Sequence, residues 1–343
     1  SRVHAACAER YLAEGRQLSA FNTLQSATDV EALRRALKLK SMVLFGISYG
    51  TRLALTVMKH YPQNVKAVIL DSVIPPKADL TGFDSKSFGP VLDRLFQACH
   101  QDGSCAAAYP DLRDRFLRVL DKLAEEPVIL EITNFVDREP LYARIDHTMF
   151  LEIIRSEMYH TERLPNLPVL ISGVAQGEYW RLKAHVENTV YSGWPDDFDM
   201  GATLAVMCND GVDVVNRQPN FDDAPSYPYL RDYAASLREI WPCSIWPTKT
   251  NMGNRDVVVS DVPSLLLAGA LDASTTIEQA ELAAETLSVS HLFIFPANAH
   301  VQIKYTKCSW EIIDEFLSKP TIRPNPKCLT SLRQPTFLTY GGN

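Results

Sequence analysis

A serine stands between two glycines in Gly46-Ile47-Ser48-Tyr49-Gly50. An apolar β-type run over 42–45 precedes it, and Leu53, Ala54, Val57 and Met58 follow at helical spacing. A serine hydroxyl is a weak nucleophile until a base takes its proton, and a sharp strand-to-helix turn lifts that hydroxyl clear of a sheet. The flanking glycines would let neighbouring backbone approach without a Cβ in the way. Ser48 is therefore read as a nucleophile. The backbone N–H of Tyr49 is read as a donor to the oxyanion formed when the serine attacks a carbonyl.

An acid and then a histidine should follow such a serine in the chain. The β-type run 262–268 ends in Gly269-Ala270-Leu271-Asp272, and the run 291–295 leads into Pro296-Ala297-Asn298-Ala299-His300. Each candidate sits on a loop past the C-terminal end of a strand, where open α/β sheets place their sites. His300 would act as general base for Ser48, and Asp272 would hold the imidazole tautomer and stabilise the imidazolium. The three side chains are expected to connect within about 3.5 Å. Asp71, at the end of the run 65–70, is the rival acid, but the Ser-Val-Ile-Pro-Pro exit after it reads as the start of an insertion. His60, His100, His147, His160 and His185 lie in or beside helical stretches and read as surface or packing histidines.

These loops need a parallel sheet to carry them. A helix over 30–39, with Thr28 and Glu31 at capping-box spacing, feeds the strand before Ser48. Strand, elbow helix and strand 65–70 make a βαβ unit, hence parallel pairing. After Pro75-Pro76 the pattern turns helical (88–100, 112–125, 147–159, 167–179, 229–239), with only 128–135 β-like, and the sheet resumes at Val262. The last helix spans about 310–317. The expected class is α/β, an α/β-hydrolase fold with an inserted, mainly helical cap. The core is expected in 1–76 and 256–343, and the cap in 77–255.

At 343 residues, 46% hydrophobic and 22% charged, the composition is that of a soluble globular protein. A net charge of −7 with no basic cluster argues against nucleic acid as a partner. No apolar stretch approaches the ~20 residues that span a bilayer. Neither CxxC, HExxH nor a His/Cys cluster is present, so no metal or other cofactor is called for. Seven cysteines form three sequence-local couples, Cys99 with Cys105, Cys208 with Cys243 and Cys308 with Cys328, leaving Cys7 over. Six cysteines admit 15 connectivities, so spacing leaves the pairing open. Local couples in a chain of this size suggest an oxidising compartment, secreted or periplasmic.

Several segments taken together resemble the tripeptidyl-aminopeptidase-like branch of the prolyl aminopeptidase (S33) family. They are residues 29–34, the elbow 46–54, Val68-Ile69-Leu70-Asp71-Ser72-Val73, the Ala-Tyr-Pro-Asp-Leu within 105–112, Cys243-Ser244-Ile245-Trp246-Pro247, 269–276 and 308–328. The resemblance implies exported enzymes that release short peptides or single residues from free N-termini, or hydrolyse related esters and amides. It puts nucleophile, acid and base on Ser48, Asp272 and His300, and disulfides on the three local couples. It also implies acidic cap residues that hold the substrate ammonium, for which Asp210 is the best match and Asp213 the reserve. The family's His-Gly-Gly type oxyanion loop is missing, and so are the first strands of its sheet. Cys7 resembles a cysteine whose partner lies in that portion. An N-terminal fragment of the same precursor is thus an expected partner beside the peptide, ester or amide substrate. A carboxylesterase or amidase, and a catalytically silent hydrolase-fold fragment, are the competing readings.

Overall fold

The computed structural model describes residues 2–78, 80, 85–134, 137–191, 199–210, 227, 229–240, 243, 245–246, 255–332 and 335–339. In chain order the elements are α1 (Arg2–Ala13), α2 (Thr23–Ala36), β1 (Met42–Ile47), α3 (Tyr49–His60) and β2 (Val65–Asp71). Next come α4 (Ser85–Gln101), α5 (Gly103–Ala108), α6 (Leu112–Glu125), β3 (Val128–Thr133), β4 (Pro140–Ile145), α7 (His147–Glu157), α8 (Leu167–Ala175), α9 (Lys183–Tyr191), α10 (Met200–Asp210) and α11 (Leu230–Ile240). The chain then returns through β5 (Ser264–Gly269), α12 (Ile277–Ala284), β6 (Ser290–Phe295) and α13 (Lys307–Ser318).

Four strands pair in the order β1-β2-β5-β6, all parallel. Every residue of β5 is buried, the mark of a strand covered on both faces. Its side chains alternate between two apolar layers, as the period of a strand requires. Leu266 and Ala268 join Ala27, Leu55, Met58 and Ala280 on the side of α2, α3 and α12. Leu265 and Leu267 join Ile312, Ile313 and Phe316 of α13 on the other. β1 is half covered: Met42 and Leu44 pack on the first layer, while Val43, Phe45 and Ile47 are 43%, 44% and 38% exposed. On that side the ring of Trp310 from α13 lies edge-on to Phe45. Among the described residues no strand pairs with the other side of β1.

The segment between β2 and β5 has its own core, in which Phe88, Leu92, Phe116, Phe150, Ile154 and Ile171 are buried together. That cluster continues into Leu271, Ala273 and Ala299, the neighbours of Asp272 and His300. Disulfides join Cys99 to Cys105, Cys208 to Cys243 and Cys308 to Cys328, and Cys7 is free. No helix among the described residues is long and apolar enough to cross a membrane.

Two expectations are corrected. α2 starts earlier than the Thr28 capping box: Asn22 is its cap, accepting Gln25 N–H at 2.9 Å, and Ala27 is already buried against the elbow helix. Thr28 lies inside the helix and donates to Leu24 O, while Glu31 pairs with Arg34 and Asn64. Within the β-like run 128–135, whose last residue lies outside the described residues, Val128–Thr133 has an antiparallel partner in β4, which the sequence reading missed. β4 is mostly exposed and opens on proline, so it lacks the apolar alternation that marks a half-buried strand.

Candidate active site

β1 carries its ladder to the turn itself, since Ser48 N–H donates to Asp71 O at 2.9 Å. Ser48 then takes φ 53° and ψ −123°, a conformation L-residues avoid, and α3 begins at the next residue. A strained strand-to-helix turn of this kind sets a serine hydroxyl apart from the helix that follows it. The two glycines prove unequal. A Cβ on Gly46 would lie 2.3 Å from Gly50 O, whereas one on Gly50 would meet nothing within 4 Å. Close approach therefore explains the first glycine only.

Asp272 and His300 are buried beyond the ends of β5 and β6. His300 Nδ1 lies 2.8 Å from Asp272 Oδ2. The carboxylate is held from its own turn as well: Oδ1 accepts the N–H groups of Ser274 and Thr275 at 2.8 and 2.9 Å, and Oδ2 accepts the Thr275 hydroxyl. Burial opposes its ionisation, but the charge of His300 and these hydrogen bonds outweigh it and hold Asp272 below the usual carboxylate range. His300 Nε2 makes no hydrogen bond, so the expected Ser48–His300 link is not closed in this structure. Catalytic hydrogen bonds often tighten only in the complex.

Asp71 has a different task from that of the rival acid. Its oxygens accept the N–H groups of Gln302 at 2.9 Å and Ile303 at 3.1 Å, and Ser72 Oγ accepts that of Val301 at 2.8 Å. The loop after His300 is thereby tied to the end of β2, with Val301 held at φ 69°, rare for a β-branched residue. Burial pushes the Asp71 carboxyl up, against the pull of those N–H groups and of His300. The turns bearing Asp272 and His300 also interlock. Leu271 N–H donates to Asn298 O at 3.0 Å, and a Cβ on Gly269 would lie 2.1 Å from Ala299 O.

Asp210 ends α10 fully buried, with Oδ2 accepting the N–H and hydroxyl of Thr23 at the start of α2. Thr23 Oγ1 is also 2.8 Å from the Tyr49 hydroxyl, so Asp210 stands two hydrogen bonds from the residue after the serine. The buried Arg52 donates to Asp210 O at 2.9 Å and Ala78 O at 3.1 Å. Asp213 lies outside the described residues. Sequence reasoning missed Thr275, Asp71 as a loop anchor, Arg52 and Tyr159, whose ring lies on the His300 imidazole. Only Thr275 left a signal: Asp followed at the third position by threonine is an Asx-turn pattern.

The family model described as "alpha/beta hydrolase fold" matches residues 1–114, and that described as "TAP-like protein" matches 227–328. The chain has the α/β-hydrolase fold, and its C-terminal part is similar to TAP-like proteins. This hydrolase is 31% identical to the "Serine protease Hip1" of Mycobacterium tuberculosis over 91 residues, 26% of this chain and 18% of that protein. It is 27% identical to the "Tripeptidyl aminopeptidase" of Streptomyces lividans over 149 residues, 40% of this chain and 27% of that protein. The matches thus cover well under two thirds of those relatives. Among solved structures, "Est816 as an N-Acyl homoserine lactone degrading enzyme" aligns over 88% of this chain and 76% of that one at 16% identity, with TM-score 0.37. An esterase from Exiguobacterium antarcticum aligns over 89% and 76% at 13% identity, with TM-score 0.39.

Proposed function

We propose that this hydrolase works through a covalent acyl-serine and that its substrates are peptides with a free N-terminus. The observation that carries the reading is the buried 2.8 Å contact of His300 Nδ1 with Asp272, on loops at the same end of the sheet as the strained Ser48. In that reading Ser48 Oγ attacks the scissile carbonyl and passes its proton to His300 Nε2. The carbonyl oxygen, now negative, takes the Tyr49 N–H at the start of α3. Collapse expels the amine with the proton from His300, and water repeats the cycle to free the acyl product.

The tripeptidyl aminopeptidase relative supports the exopeptidase choice. The three disulfides support an extracytoplasmic location. The side of β1 that no strand pairs with among the described residues supports pairing with a further strand there, where the resemblance puts the second oxyanion donor. An ammonium-binding role for Asp210 is part of the reading, alongside its hold on Thr23.

The test is a fluorophosphonate probe followed by a pair of substrates. The probe should label wild type and not Ser48→Ala. An aminoacyl anilide should be cleaved, and its N-acetyl form should not. A chain that cleaves a short-chain nitrophenyl ester and ignores both anilides is an esterase, and one that takes no probe is silent.

A further inference from the structure

The end of α7 and the turn after it bring the cap against His300 and its neighbours. Tyr159 lies over the His300 imidazole with ring centroids 4.3 Å apart and planes 29° from parallel. Two residues on, Thr161 Oγ1 accepts the N–H of Ala299 at 2.9 Å. One turn earlier, Arg155 donates to Ser274 Oγ, beside Asp272, at 3.4 Å. The imidazole therefore has one edge fixed by Asp272 and one face covered by an aromatic ring from the cap, and it is 2% exposed.

We propose that Tyr159 is a positioning residue for the base, an inference resting on the serine-hydrolase reading above. Its ring holds the imidazole plane in place and stabilises the imidazolium that forms when Ser48 gives up its proton. An aromatic face carries negative quadrupole density, so a stacked ring favours the charged imidazole over the neutral one, the more so where water is excluded. An aliphatic side chain of similar size would fill the space without that preference. Four other groups act here: Asp272 from the turn after β5, Asp71 from the end of β2, and Arg155 and Tyr305, which face Tyr159. Burial, and then the charge of Asp272, push the Tyr159 phenol up, so the ring stays neutral through the working range.

Tyr159 is 40% exposed, so substitution there leaves the fold in place. Tyr159→Leu and Tyr159→Phe would be compared with wild type by two readouts. One is the titration of the labelled His300 imidazole followed by NMR, and the other is kcat and KM on a nitrophenyl ester. In Tyr159→Leu the titration midpoint should move to lower pH, and kcat should fall about 3- to 30-fold with KM within about twofold. Tyr159→Phe should keep both wild-type values. A leucine variant equal to wild type in both readouts overturns the proposal. So does a phenylalanine variant that loses as much as leucine, since the effect would then belong to the hydroxyl. If wild type takes no fluorophosphonate the serine-hydrolase reading fails, while the imidazole titration still decides the stacking.

Discussion

The carboxylate of Asp71 accepts the backbone N–H of Gln302 at 2.9 Å, two residues beyond the histidine whose side chain Asp272 holds. The two aspartates at neighbouring strand ends thus divide the work. Asp272 sets the ring of His300, and Asp71 sets the loop that carries it. Asp71→Ala should lower the melting temperature by a few degrees, because buried N–H groups left without acceptors cost about 1–3 kcal/mol. Activity should fall with it. Differential scanning calorimetry and an ester assay check both.

Asp272→Asn should behave differently, keeping the fold near neutral pH while kcat falls by a factor on the order of 10⁴ through the wrong imidazole tautomer. Its effect on stability has a definite sign. The folded value lies below the unfolded one of about 3.9. This carboxylate therefore contributes stability that is fully present above the unfolded value and is lost as pH falls through the folded one. Melting temperature plotted against pH should fall less steeply below about pH 4 in Asp272→Asn than in wild type.

The elbow glycines give a paired test. Gly46→Ala should abolish fluorophosphonate labelling, because the added Cβ would overlap Gly50 O. Gly50→Ala has open space and lies in α3, so it should label normally and gain about 0.5–1 kcal/mol from better helix propensity. A Gly50→Ala variant that unfolds would contradict the steric account.

The triad candidates were legible because each lies where an apolar run meets a breaker: Ser48 after 42–45 and Gly46, Asp272 after Gly269, His300 after Phe295. Such signals are local. What surrounds them was not legible, since Thr161 meets Ala299 from 138 positions away and nothing near either residue announces the other. α1, α9 and α10 were missed for a related reason. α10 mixes small and apolar residues without a polar face, and its burial comes from packing with Ala8, Leu18 and Trp246, distant in sequence. Asp210 was singled out by resemblance, and its bond to Thr23 could not be read from spacing at all.

That bond separates two roles for Asp210. If the carboxylate mainly anchors α2, Asp210→Asn should lower the melting temperature and leave KM for free-amine and N-acetylated substrates changed alike. If it also holds the ammonium, KM should rise for the free amine alone, by the roughly 10-fold or more that a charge-assisted hydrogen bond of about 1.5–3 kcal/mol represents. Steady-state kinetics on the two substrates, with a melt for each variant, decide it.

The bare face of β1 should make the chain sticky. Val43, Phe45 and Ile47 present apolar surface beside an edge that no strand pairs with among the described residues, the arrangement that invites edge-to-edge pairing. Phe45→Lys should reduce the self-association seen by light scattering at high protein concentration, with no loss of fluorophosphonate labelling.

The interlock of Gly269 with Ala299 bears on recombination with other hydrolases. The turns bearing Asp272 and His300 leave no room for even one added carbon and share backbone hydrogen bonds, so they form a single part. In the stretch between them Ser274 and Thr275 hold Asp272 and Ala280 packs in the first apolar layer, so α12 exchanges only for a helix that keeps those contacts. A chimera that takes residues 269–272 from one parent and 298–302 from another divides the part itself, and its failures would concentrate at that junction wherever the remaining crossovers fall.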